Sequence, residues 1–408
     1  MELTTKRKII FICMLVCFML LLIYQSDFTR SALQIQDMDN TDESEVLIPQ
    51  KGMKYILVWT NPNDEPIASW GRGQEQFIKR KCNVNSCYVT SKRSLLPSIS
   101  QFDAVAFHGP EIKRKYVPDP GVRSPQQKYV FVSMESSHYY PICAERYDGF
   151  FNWTWTYRLD SDEFYGYVTI RNITGDIIGP NKIMHWIKLD SMHPVDNETK
   201  VLLKKKNKTA AWFVSNCDSL SKREKFVTKL QYELKSYGLG IDIFGECTGA
   251  TKKCPRTRMN ECLKMVQEEY YFYLSFENSF SEDYVTEKLL TALQNYAVPV
   301  VFGGANYTRF MPDGIYLHGG KMKPPDLAKE MNDIIKDKDR YYSFFKWRNH
   351  YSYHDKNEAP DSDDLCRMCE MLHDQALVKK ETVYKDFRKW WNVPGACSTI
   401  LSVLKAYF

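Results

Sequence analysis

The 408-residue chain lacks an excess of either charge: 55 lysines and arginines stand against 50 aspartates and glutamates, a net +5. The basic residues are spread, and Lys204–Lys206 reads as solvated surface, so no stripe exists for a nucleic acid. The chain also lacks a second CxxC to partner Cys366-Arg-Met-Cys369, and Cys82 and Cys87 are spaced too widely to complete a usual zinc site. It lacks the ~20-residue apolar run of an ideal membrane span. What it has is sixteen apolar residues, Ile9–Tyr24, behind Lys6, Arg7 and Lys8. With Tyr24 at the interface, thinner early-secretory membranes accept such a span. No small-x-small cleavage site follows closely apart from Ser31-Ala32, which favours a retained anchor over a cleaved signal peptide. The basic flank keeps the N-terminus cytoplasmic. The expectation is a tail over 1–8, a transmembrane signal anchor over 9–24, and a type II single-pass protein. Residues 25–53 carry an acidic, aperiodic stretch that reads as a flexible stem.

Beyond the anchor the chain carries five Asn-x-Ser/Thr sequons, at Asn152, Asn172, Asn197, Asn207 and Asn306. Ten of its twelve cysteines also lie there. Both features fit an oxidising secretory lumen with N-linked glycans and disulfides. The length suits one or two domains. Apolar runs at 54–60, 102–108 and 129–134 read as strands separated by loops and weak helical stretches, an α/β domain over 54–205. A second α/β domain over 206–360 starts at the strand 210–214. A helix follows, with Phe226, Val227, Leu230, Leu234 and Tyr237 as its apolar stripe and Gly238 as its stop. Ser221 and Glu224 have capping-box spacing. Residues 361–408 form a C-terminal segment, with a helical, aromatic-rich stretch at 381–391 whose Trp390 and Trp391 suit core packing.

The stretch 270–304 organises the rest. A buried strand (271–276), a polar loop (277–283), a helix (286–296) and a second buried strand (298–302) make one βαβ unit. Such units bind ligands where the strand's carboxyl end meets the helix N-terminus. Here that place carries Glu277, Asn278, Tyr284, Thr286, Glu287 and Lys288, and the free backbone N–H groups and Lys288 at the helix start make a natural diphosphate site. In the first domain, the strand 129–134 delivers Glu135, Ser136, Ser137 and His138 past its carboxyl end. Asp160-Ser-Asp162 is a DxD pattern, a common metal-nucleotide signature with high false-positive risk, and the adjoining Tyr157 and Arg158 offer its carboxylates partners.

FENS followed by DYVTEK and VPVVFG, with VSN at 214–216, MES at 134–136 and FNWT…YRLDSD at 151–162, resembles the α1,3-fucosyltransferases of glycosyltransferase family 10. The resemblance extends, more weakly, from about Tyr55 to the C-terminus. It implies two facing Rossmann-like domains of the GT-B type, an enzyme of the Golgi membrane with a lumenal catalytic region, and GDP-β-L-fucose as donor with no obligatory metal. The acceptor would be an N-acetylglucosamine residue of a glycoprotein or glycolipid glycan, fucosylated at O3 with inversion. Glu135 becomes the base, with Ser137 where the family has proline. Arg223, seven residues after Asn216, and Lys288 become the leaving-group stabilisers. Arginine suits phosphate because its planar fork grips two oxygens. Glu287 suits the ribose hydroxyls. Tyr165, Ser215, Asn216, Tyr273, Asn278, Tyr284 and Val285 would frame the nucleotide. Cys82 and Cys87 would be bonded to Cys366 and Cys369, with the individual pairing open. The family's disulfide flanking the strand before VSN has no counterpart, Ala211 and Tyr270 standing there. Cys217, Cys247, Cys254 and Cys262 are left for local bonds, with Cys247 and Cys254 close enough for a small loop. Two rivals share the sequence: a metal-dependent transferase using Asp160 and Asp162 with another sugar nucleotide, and an inactive, membrane-tethered glycan-binding protein.

Overall fold

The computed structural model describes residues 49–112, 117–247 and 254–397. The anchor and nearly all of the stem lie outside them. Among the described residues no helix is long and apolar enough to cross a membrane.

The chain forms two parallel sheets. The first contains β1 (Lys54–Val58), β2 (Cys87–Thr90), β3 (Ala104–His108), β4 (Lys128–Ser133), β5 (Trp153–Thr156) and β6 (Glu163–Phe164), in the order β2-β1-β3-β4-β5-β6. Its strands are buried at nearly every position because both faces are covered, as parallel sheets require. Ile56, Val58, Val130 and Val132 point to one core, and Tyr55, Leu57, Tyr129 and Phe131 to the other.

After a hairpin of β7 (Val168–Asn172) and β8 (Ile177–Gly179) comes the second sheet. It contains β9 (Lys208–Phe213), β10 (Ile241–Phe244), β11 (Tyr270–Phe276), β12 (Val298–Phe302) and β13 (Leu317–His318), ordered β10-β9-β11-β12-β13. Helices α1 (Arg223–Leu234), α2 (Met259–Glu269), α3 (Glu287–Gln294) and α4 (Pro324–Lys336) flank it. The stripe Val227, Leu230 and Leu234 of α1 packs with Leu327, Met331 and Ile334 of α4 over Trp212, Phe272 and Leu274. Leu289, Leu290 and Leu293 of α3 pack with Val301 on the opposite side. The capping box does not form. Lys222 holds the N-cap position with φ +54°, and the Ser221 hydroxyl donates to the Glu277 carbonyl at 2.7 Å instead.

The chain then returns. β14 (Tyr351–Asp355) pairs antiparallel with β7, tying the two halves together. Helix α5 (Asp364–His373) lays Leu365, Met368 and Leu372 on one face of the first sheet. The 381–391 stretch is helical only as α6 (Phe387–Trp391), which puts Phe387 and Trp391 into the other face.

Ten cysteines form five disulfides. Cys82–Cys366 and Cys87–Cys369 bind α5 to the first sheet, and Cys143–Cys397 adds a third long-range link. The small loop expected between Cys247 and Cys254 is absent. Cys247 bonds Cys217 and Cys254 bonds Cys262. Closeness in sequence does not align the Cβ vectors, whereas the exit loops of adjacent β9 and β10 do meet. Gly245 makes that meeting possible: it lies at φ +118°, and a Cβ there would sit 2.1 Å from the Val214 carbonyl oxygen.

Candidate active site

Both sheets reverse their winding, the first between β1 and β3, the second between β9 and β11. Such a reversal opens a crevice at the strands' carboxyl ends. In the second sheet the exit loop of β9 presents Ser215 and Asn216, both exposed, held from behind by Cys217–Cys247. Arg223 opens α1 beneath this loop and is buried. Its guanidinium donates to the Phe276 carbonyl and, at 3.4 Å, to the Asn216 carbonyl. Its Nε–H has no partner, and among the described residues no carboxylate forms a salt bridge with it. Burial pulls its pKa down, against the field of Glu277. A buried cation without a counter-ion is costly unless an anion arrives.

Glu277, just past β11, was visible in the sequence only as one polar loop residue. It is buried, and its carboxylate accepts from the Thr286 N–H at 2.9 Å and from the Thr286 hydroxyl. It thereby serves the free end of α3. Lys288 Nζ lies 2.7 Å from Thr286 Oγ1, 3.3 Å from Glu277 Oε2 and 3.1 Å from Glu287 Oε1. Burial works against the Lys288 charge, but Glu277 and Glu287 outweigh it and raise the pKa. For Glu287 burial acts upward, yet Lys288 holds the carboxyl below its usual range. Glu287 keeps most of its side chain open to the crevice mouth.

The loop after β4 crosses to meet this site. The polar loop 277–283 is largely buried by it. Ser279 Oγ donates to Ser136 Oγ at 2.6 Å, and the His138 N–H donates to Ser281 Oγ at 3.3 Å. Asp283, at φ +58°, accepts from the Leu159 N–H at 3.1 Å and from Arg309 at 2.6 Å. Tyr157 takes the Ser137 N–H at 2.9 Å and packs edge-on to Tyr284. Tyr284 points its hydroxyl at Glu135 Oε2, 3.4 Å away. Burial raises the Glu135 pKa, and Lys288 opposes without cancelling the rise. A carboxylate from one domain is thus brought under the field of a lysine from the other.

Glu135 with Tyr284, Glu287 with Lys288, and Arg223 with Asn216 form one cluster joined by the field of Lys288, and Ser215 is exposed beside Asn216. Asn278 stands at the cluster's edge, its carbonyl taking the Ser221 N–H and its side chain the Ser279 hydroxyl. Three further expected nucleotide residues, Tyr165, Tyr273 and Val285, are buried. Tyr165 is buried in the first core, its hydroxyl taking the Trp70 indole N–H at 3.2 Å, with Lys356 3.4 Å over its ring. Tyr167, two residues on, does reach the site and donates to the Met134 carbonyl at 3.0 Å. Tyr273 packs mid-strand against Phe213, and Val285 is buried with α3. The DxD carboxylates are occupied separately. Arg158 grips Asp160 with two hydrogen bonds, while Asp162 accepts from the Thr154 N–H, the Thr154 hydroxyl and the Tyr384 hydroxyl. Among the described residues the one group with metal-ligand spacing is Cys87, Cys369 and His373, and its cysteines are disulfide-bonded.

Of the sequon asparagines, Asn197, Asn207 and Asn306 are exposed and Asn172 half-exposed. Asn152 is not available: it is buried, donating to the Thr382 carbonyl and accepting from the Tyr129 N–H.

Two doubly wound parallel sheets whose loops meet, with a carboxylate on one side and two cations on the other, define the chain as a doubly wound α/β protein. The pattern described as "Fucosyltransferase, N-terminal" matches residues 51–168, and that described as "Glycosyltransferase family 10 (fucosyltransferase) C-term" matches residues 203–390. The chain belongs to glycosyltransferase family 10, the fucosyltransferase family. It is 37% identical over 347 residues to alpha-(1,3)-fucosyltransferase C of Drosophila melanogaster, covering 83% of this chain and 77% of that one. It is 35% identical over 309 residues to human 4-galactosyl-N-acetylglucosaminide 3-alpha-L-fucosyltransferase FUT6, covering 74% of each. A crystal structure of an alpha1,3-fucosyltransferase with GDP aligns at TM-score 0.47 and 14% identity, over 84% of this chain and 96% of that one.

Proposed function

We propose that this chain moves L-fucose from GDP-β-L-fucose to O3 of an N-acetylglucosamine residue in a glycoprotein or glycolipid glycan, with inversion. The names of its relatives support the sugar and the position. The observation that carries the donor site is Arg223, a buried guanidinium with an unpartnered N–H at a sheet's winding reversal. A diphosphate supplies the missing counter-ion.

Residues 54–205 serve the acceptor and 206–360 the donor, in a B-type arrangement. Arg223 and Lys288 hold the phosphates, Ser215, Asn216 and Asn278 border the nucleotide, and Glu287 accepts from the ribose hydroxyls. Glu135 takes the proton of the acceptor O3–H. The acceptor oxygen bonds the anomeric carbon opposite GDP. The bond from that carbon to the phosphate oxygen breaks, and GDP leaves with the electron pair, its charge met by Arg223 and Lys288. No step needs a metal. Residues 9–24 anchor the enzyme in the Golgi membrane as a type II protein with its catalytic part lumenal.

The test is incubation of the purified chain with GDP-fucose and an array of defined glycans, with product linkage read by NMR. An α1,3-linked fucose on N-acetylglucosamine is expected. Transfer only with manganese and another sugar nucleotide, or no transfer alongside glycan binding, overturns the reading.

A further inference from the structure

Tyr139 stands on the same loop as Glu135, yet nothing in the proposed transfer uses it. Its side chain leaves the first domain and crosses to the exit loop of β9. There its hydroxyl accepts from Asn216 Nδ2 at 3.0 Å and from the Leu220 N–H at 3.1 Å. A phenol has two acceptor lone pairs and one proton to donate. The two incoming N–H groups satisfy the oxygen as an acceptor, and among the described residues its own proton has no acceptor. Arg223 shares this crevice through the Asn216 carbonyl, and its Nε–H is likewise unpartnered and buried. Two donors without a protein partner, a half-exposed phenol and a buried cation without a counter-ion, thus meet at Asn216, one through its side chain and one through its carbonyl.

We propose that Tyr139 is a diphosphate-binding residue supplied across the cleft by the acceptor domain. Its O–H donates to a phosphate oxygen of the nucleotide that Arg223 holds, while Asn216 and Leu220 fix the phenol in place. This rests on the assignment of Arg223 to the donor phosphates. Because Glu135 lies four residues earlier on the same loop, the bound donor also steadies the segment that carries the base.

Tyr139→Phe in the full chain tests this, since it keeps the ring and removes the proton. Inhibition constants for GDP and for guanosine, which has no phosphate, are compared with wild type. Loss of one hydrogen bond to a charged group predicts about tenfold weaker GDP binding, with guanosine unchanged. The KM for GDP-fucose rises more than kcat falls. Tyr139→Gln, which restores an N–H donor, recovers part of the GDP affinity and provides the readout if the Phe variant does not fold. GDP affinity in Tyr139→Phe within about twofold of wild type, or equal weakening of GDP and guanosine, overturns the proposal. Arg223→Lys is measured in parallel. If it weakens GDP while Tyr139→Phe does not, only the Tyr139 assignment falls; if neither does, the donor-site reading itself is wrong.

Discussion

Glu135 gains its character from two neighbours that the sequence places about 150 residues away. Burial lifts its pKa, and Lys288 restrains the lift without abolishing it. A base works when deprotonated, so the acid limb of kcat/KM belongs above the ordinary carboxylate range, with activity lost as pH falls through it. Lys288, its own pKa raised, keeps its charge across neutral pH. Glu135→Gln keeps size and hydrogen bonding but removes basicity. Transfer should drop ~10²–10⁴-fold while GDP affinity stays near wild type. Near-normal turnover in the folded Gln variant would shift attention to His138, whose Nδ1 is buried without a partner. Asn152 carries the second residue-scale prediction. Its amide is consumed inside the fold, so peptide mass spectrometry should find glycans at Asn172, Asn197, Asn207 and Asn306 but none at Asn152 in folded protein. An occupied Asn152 would contradict the packing described.

At the scale of elements, the turn between β5 and β6 shows how a metal-like motif can be structural. Asp162 alone accepts three hydrogen bonds that join β5 to the C-terminal segment. Asp162→Asn should lower stability by ~1–3 kcal/mol in chemical denaturation. EDTA should leave transfer by wild type intact, and its abolition with rescue by manganese would restore the metal reading. The sequence made β4, β9, β11 and β12 legible because each is an unbroken apolar run, and α1 because its stripe has helical spacing. β2, β5, β6 and β13 were not, since two to four residues such as Cys87–Thr90 carry too little pattern to separate strand from loop. The site was legible where a residue follows a strand's carboxyl end, as Glu135, Asn216 and Lys288 do. Tyr139 and Tyr167 were not, because the partners that mark them, Asn216 and Leu220 for the one and the Met134 carbonyl for the other, are distant in sequence. The buried state of Ser279, Ser281 and Asp283 was hidden for the same reason: their partners lie in the other half of the chain.

At the scale of the whole molecule, Cys82–Cys366 and Cys87–Cys369 close nearly the same loop, with separations of 284 and 282 residues. In the chain-entropy picture one bond removes most of the denatured-state freedom, on the order of 5 kcal/mol, and the other adds only the small loops between the paired ends. Cys82→Ser with Cys366→Ser should therefore lower stability far less than removal of all four cysteines. Equal losses in urea titrations would show that each bond acts through local packing instead.

The return of the chain to its first sheet also sets an order in time. The second sheet is built from one continuous stretch, 208–318, and has its strands as soon as that stretch exists. The first sheet has all its strands by residue 164, yet part of the cover on each face, α5 on one and α6 on the other, comes only with residues 364–391. A chain emerging N-terminus first therefore keeps Phe131 without its ring partners Phe387 and Trp391 through some 200 further residues of synthesis. At ~5–20 residues per second that is on the order of 10–40 s. The half made first is finished last, and until then it depends on whatever shields bare apolar surface in the compartment where it folds.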